Sequence, residues 1–111
     1  MGAMMGVEAK DSKVKEALEG GACVIDARSA KAYAKDHADG AISVPAGGPF
    51  GGKAAASVAA ADALPSDKSA AIVCYCDGGA ESKPVKKALE AAGYTNVINA
   101  GSKARVKKLK K

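Results

Sequence analysis

The feature that most constrains this chain is Ala70-Ala71-Ile72-Val73-Cys74-Tyr75, an apolar run with no polar residue alternating through it. A strand with one wet face alternates apolar and polar side chains. A continuous run suits a strand buried on both faces, and such strands belong to parallel sheets covered by helices. Ala22-Cys23-Val24-Ile25, Ala41-Ile42-Ser43-Val44 and Asn96-Val97-Ile98-Asn99 read as shorter strands of the same sheet.

Helical segments separate these runs. Asp11-Ser12 can cap a helix with Val14, Ala17 and Leu18 on one face, closed by Gly20-Gly21. Ser29 can cap a second helix, Ala30 to about Lys35, and an alanine-rich third is expected from about Lys53 to Leu64. Ser82 can cap a fourth, with Pro84 in its first turn and Val85, Ala88, Leu89 and Ala92 on one face, ended by Gly93. Strands alternating with helices predict an α/β fold, a parallel sheet with helices on both faces. At 111 residues there is room for one core.

The net charge of +5 is concentrated at one end. Lys103, Arg105, Lys107, Lys108, Lys110 and Lys111 carry six positive charges, leaving eleven Lys and Arg against twelve Asp and Glu in the body. No aromatic residue interleaves these lysines to stack on bases, so the basic tail, residues 103–111, is expected to be a solvated, frayed helix and not a nucleic-acid-binding arm. No stretch approaches a membrane span. Residues 1–10 are expected to be an N-terminal extension, and the doubled Met of Met1-Gly2-Ala3-Met4-Met5-Gly6 reads as a cloning scar. If a signal peptide has been removed the location is periplasmic, and otherwise cytoplasmic.

Cys23, Cys74 and Cys76 are too few for a disulfide framework, and Cys-x-x-Cys is absent. Cys76 is the chemically pointed one. It ends the strongest strand, where crevices open in parallel sheets, and six residues later Ser82 begins a helix. The amides of Asp77, Gly78, Gly79, Ala80 and Glu81 can curl around the sulfur, with the glycines permitting positive φ. Amides and helix terminus together favour the thiolate, the nucleophilic form. Cys74, two residues back, is either a small buried hydrophobe or a resolving thiol. Cysteine-loop phosphatases grip their dianion with an arginine five or six residues after the nucleophile. Glu81 and Ser82 stand there, which disfavours phosphoryl transfer.

Two other motifs carry less. Gly47-Gly48-Pro49-Phe50-Gly51-Gly52-Lys53 imitates the start of a phosphate-binding P-loop, but Ala54 lacks the Mg²⁺-holding hydroxyl and Pro49 lacks an amide hydrogen. A mobile loop near the active site is expected there. His37 could join Cys74 and Cys76 at a metal, yet a structural imidazole bonded to backbone is the better expectation. No metal and no cofactor is expected.

Taken in order, four pieces of the chain resemble a single-domain rhodanese, a sulfurtransferase. They are Val24-Ile25-Asp26-Ala27-Arg28-Ser29, the stretch from His37-Ala38-Asp39-Gly40 to Val44-Pro45, Ile72-Val73-Cys74-Tyr75-Cys76-Asp77-Gly78-Gly79, and Leu89-Glu90-Ala91-Ala92-Gly93-Tyr94-Thr95-Asn96-Val97. The ending Val97-Ile98-Asn99-Ala100-Gly101 is most similar to the small periplasmic phage-shock rhodaneses of bacteria.

The resemblance implies a five-stranded parallel sheet and a domain over residues 11–102. It puts the nucleophile at Cys76 and structural roles at Asp26, Arg28 and His37. It also implies transfer of a sulfane sulfur from thiosulfate or a related donor to cyanide or a thiol, through a Cys76 persulfide. The partners are then small molecules, with no nucleic acid or membrane, and a monomer is expected. Glu81, where family members often carry Arg, and Asp36, where a glycine is usual, depart from the pattern. The alternative is a non-catalytic persulfide carrier or a rhodanese-fold protein-binding module.

Overall fold

A computed structural model describes residues 9–110. The elements in chain order are α1 (Asp11–Glu19), β1 (Cys23–Asp26), α2 (Ala30–Lys35), β2 (Ile42–Ser43), α3 (Ala54–Ala60), β3 (Ile72–Cys76), α4 (Ser82–Ala91), β4 (Val97–Ser102) and α5 (Lys103–Leu109). The strands form one parallel sheet in the order β2-β1-β3-β4. All five residues of β3 are buried, as its unbroken apolar run demands of a central strand.

Alternate side chains of the sheet feed two cores. Ile25, Ile72, Cys74, Cys76 and Val97 face α3 and α4, joining Val58, Val85 and Leu89. Val24, Val73, Tyr75 and Ile98 face α1 and α5, joining Val14 and Val106. The helical spacing of Val85 and Leu89 lays both against the sheet, and each is fully buried.

Several expectations are corrected. The sheet has four strands among the described residues, not five. Pro45 follows a β2 of only two residues, and the Ala9 N–H bonds the Asn99 carbonyl at the open edge of β4 without forming a strand of its own. Helix α3 stops at Ala60, short of Leu64. The basic tail is the helix expected there, α5, but it is docked on the body and not frayed. Ser102 caps it by accepting from the Arg105 amide at 3.1 Å, Val106 is fully buried, and Lys103 and Lys107 both reach Asp36. Val106 and Leu109 pack on the same core as α1, which anchors this lysine-rich helix to the body. The expected extension over residues 1–10 lies mostly outside the described residues, and no described helix is long and apolar enough to cross a membrane.

Candidate active site

Cys76 is the last residue of β3, where the chain leaves the ladder and its amides become free to point elsewhere. The loop turns at Gly79, whose φ of 92° favours glycine. That turn aims the Gly79 N–H at Cys76 Sγ, 2.9 Å away. The Ser82 N–H, in the first turn of α4, reaches the same sulfur at 3.4 Å, and Ser82 Oγ lies 3.5 Å from it. The sulfur thus sits at a helix start with two main-chain donors on it, and Cys76 as a residue is 1% exposed.

The remaining loop residues surround this arrangement without bonding the sulfur. Asp77 projects to solvent, with Arg28 Nη1 at 3.9 Å from its carboxylate. Gly78 and Ala80 are exposed, and Glu81 is half-buried at the head of α4. Gly78 borders a cavity of about 390 Å³ that is also lined by Gly101, Ser102 and Arg105.

Two residues of this arrangement escape sequence reasoning in their contacts. Ser82 is not the expected N-cap but the first helical residue, and its hydroxyl points inward to donate to Asn99 Oδ1 at 2.7 Å. Asn99 is 2% exposed. Its Oδ1 also accepts from the Gly101 N–H at 2.9 Å, and its Nδ2 donates to the Gly79 carbonyl at 3.4 Å. The available signal was an asparagine inside a strand whose neighbours are Val97, Ile98 and Ala100, because a buried amide needs partners.

The opposite face of the strand end is clamped. Arg28 makes a two-pronged contact with Asp26 through Nε at 3.0 Å and Nη2 at 2.7 Å, and Nη2 also donates to the carbonyls of Ala32 and Asp36. Tyr75 Oη donates to Asp26 Oδ2 at 2.9 Å and accepts from the Ala38 N–H. Asp26 thereby holds the Arg28 guanidinium charged beyond its already high range. Burial, followed by the carboxylate of Asp26, pushes the Tyr75 phenol up. This network ties the ends of β1 and β3 together directly beside Cys76.

His37 stands apart from the sulfur. Its ring stacks on Tyr33 at 3.8 Å, and Nδ1 donates to the Tyr33 carbonyl at 2.8 Å. No group of three or more His, Cys, Asp or Glu among the described residues could hold a metal ion. Cys74 is fully buried, and desolvation pushes its thiol well up; Cys23, partly buried, moves the same way. The glycine-rich loop rests against α4, since a Cβ on Gly51 would strike Pro84, and it leaves Phe50 97% exposed.

A four-stranded parallel sheet with a cysteine loop running into a helix start defines a recognisable class. The family model for the rhodanese-like domain matches residues 10–102, and the chain belongs to that family. It is 35% identical over 77 residues to thiosulfate sulfurtransferase PspE of Escherichia coli (strain K12), covering 69% of this chain and 66% of that relative's length. Among solved structures it is similar to a rhodanese with anions from E. coli, at 31% identity and a TM-score of 0.53, covering 75% of this chain and 88% of that one. The Alr3790 protein from Anabaena sp. shares the fold at 22% identity and a TM-score of 0.63, over 91% of this chain and 86% of that one.

Proposed function

We propose that the protein is a sulfurtransferase that carries a sulfane sulfur on Cys76. The observation that carries this reading is the pair of N–H groups, from Gly79 and Ser82, directed at Cys76 Sγ. Main-chain donors on a sulfur stabilise negative charge there, both on the attacking thiolate and on the terminal sulfur of a persulfide. The similarity to thiosulfate sulfurtransferase PspE supports a donor of the thiosulfate class.

The reaction divides into two displacements. Cys76 thiolate attacks the outer sulfur of thiosulfate, a new S–S bond forms, the old one breaks, and sulfite leaves with the bonding pair. Cyanide or a thiolate then attacks the outer sulfur of the persulfide, takes it as thiocyanate or a new persulfide, and returns Cys76 thiolate. No net oxidant is needed, and ping-pong kinetics follow from the covalent intermediate. Of the other loop residues, Asp77, Gly78, Ala80 and Glu81, Gly78 borders the neighbouring cavity, the approach assigned here to the donor.

Glu81 and Asp77 place negative charge beside this loop, which weakens binding of a dianion and favours a second reading: a carrier loaded and unloaded by dedicated protein partners. Intact mass measurement after incubation with thiosulfate tests the first reading. It expects one added sulfur atom that cyanide removes and that Cys76→Ser never acquires. Loading without release to cyanide would favour the carrier, and no loading at all would remove Cys76 as the sulfur acceptor.

A further inference from the structure

The ladder between β3 and β4 contains one irregularity, and it lies beneath the cysteine loop. Cys74 pairs with Asn99, but Tyr75 pairs with Gly101, so Ala100 is an extra residue on β4. Such a bulge bends a strand and re-aims a side chain. Here Gly101 adopts a φ of 85° and turns its N–H back onto Asn99 Oδ1. The carboxamide is thereby fixed so that it touches both residues whose amides reach Cys76: Gly79 through its carbonyl and Ser82 through its hydroxyl.

The Ser82 hydroxyl has one hydrogen to give. Three acceptors surround it: Asn99 Oδ1 at 2.7 Å, the Gly79 carbonyl at 3.2 Å and Cys76 Sγ at 3.5 Å. The shortest contact claims the hydrogen. Ser82 Oγ then presents a lone pair to the sulfur, an arrangement that suits an S–H donor and opposes an anionic sulfur. Were the Asn99 oxygen absent, a thiolate would win the hydrogen over the neutral carbonyl, because bonds to charged acceptors are the stronger ones.

We propose that Asn99 is a positioning residue that holds the Ser82 hydroxyl away from the sulfur and so sets the pH at which Cys76 ionises. This rests on Cys76 being the nucleophile. On ionisation the proton passes to water, and Asn99 keeps the hydroxyl from following the new charge. The other titratable groups in this part of the fold are Cys74 on β3, which interacts with Cys76, the Cys23, Lys86 and Glu90 that act on Cys74 from β1 and α4, Asp77 and Glu81 in the loop, Arg28 against Asp77, and Arg105 on the cavity that Gly78 borders. A substitution at Asn99 removes none of them.

The experiment is the pH profile of Cys76 alkylation by iodoacetamide, with the labelled residue assigned by peptide mass mapping. Asn99→Leu frees the hydroxyl, and the midpoint of the profile falls by about one pH unit, the size of a hydrogen bond to a charged group. In a Ser82→Ala background the same substitution leaves the midpoint unchanged. A shift in both backgrounds, or in neither, overturns the proposal. Should Asn99→Leu fail to fold by circular dichroism, Asn99→Asp replaces it. A carboxylate grips the hydroxyl harder, so the midpoint rises further with Ser82 present than in the Ser82→Ala background; equal rises overturn the proposal. The readout is independent of sulfur transfer, so a Cys76 that is alkylated normally but never gains sulfur would defeat the proposed function and not this inference.

Discussion

Cys74 and Cys76 lie two residues apart on β3, face the same side of the sheet and join the same packed cluster. Both are almost wholly buried, so exposure does not separate them. What differs is the backbone around each. At Cys74 the strand is paired on both sides, with Ile25 on β1 and Asn99 on β4, so the neighbouring amides are spent on the ladder. At Cys76 the strand ends and the chain folds over, so the Gly79 and Ser82 amides are free to meet the sulfur. Position at the C-terminal edge of a parallel sheet, more than the residue type, decides which thiol has chemistry available to it.

The strongest way to break this contrast is to replace each cysteine by serine in turn. Cys76→Ser is expected to abolish sulfur loading by mass spectrometry, while Cys74→Ser loads to the wild-type extent. Loss of loading in a folded Cys74→Ser protein would make Cys74 a participant and end the distinction.

The next largest effect concerns what holds the strand end in place. Arg28→Ala leaves Asp26, fully buried, without its ionic partner. An unpaired buried charge destabilises by about 3–5 kcal/mol, read as a drop in the urea midpoint. Fold loss on this scale identifies the clamp beside Tyr75 as the support on which the Cys76 loop is built. A drop under about 1 kcal/mol, the scale of a surface pair, would mean that the loop is held by α4 alone.

A smaller change sharpens the electrostatic side. Glu81 stands half-buried at the head of α4, directly before the Ser82 whose N–H reaches Cys76 Sγ. Glu81→Arg reverses that charge and is expected to raise kcat/KM for thiosulfate on the order of fivefold, equivalent to a surface ion pair of about 1 kcal/mol. The gain should shrink as ionic strength rises. An unchanged rate at low salt would remove Glu81 from the donor's path.

The parallel sheet was legible because each buried strand is a short apolar run flanked by turn residues, and the place of Cys76 at the sheet's edge was legible because it ends the strongest of them. The reasons for the remainder are tertiary. Ser82 looked like a cap by local sequence, but the sulfur and Asn99 lie on its inner side, so its hydroxyl serves the loop. Asn99 acquires its role through the β3–β4 bulge, which depends on pairing between residues far apart in the chain. The docking of α5 was hidden by its lysines, because the core that receives Val106 and Leu109 and the Asp36 that draws Lys103 and Lys107 are built from residues far off in the chain.

The smallest effect tests the buried partner of the pair. Burial raises the Cys74 thiol above its ordinary value of 9.0 in the folded protein, whereas the unfolded chain ionises normally. A group with a raised folded value leaves stability intact below its unfolded value and removes it as pH climbs beyond, because the unfolded state sheds its proton first. Stability should therefore decline above about pH 9, with one such thiol contributing at most about 1.4 kcal/mol per pH unit. Tyr75 and Cys23 are shifted in the same direction, so wild type alone cannot assign the slope. Cys74→Ala removes the titrating group at the cost of a small cavity, roughly 1 kcal/mol at every pH. Urea titrations from about pH 8 to about pH 10.5 should show the variant less stable at the start and declining more gently. Parallel curves would mean that Cys74 ionises as readily in the folded protein as in the unfolded one, and the two thiols would then differ in their donors but not in their solvation.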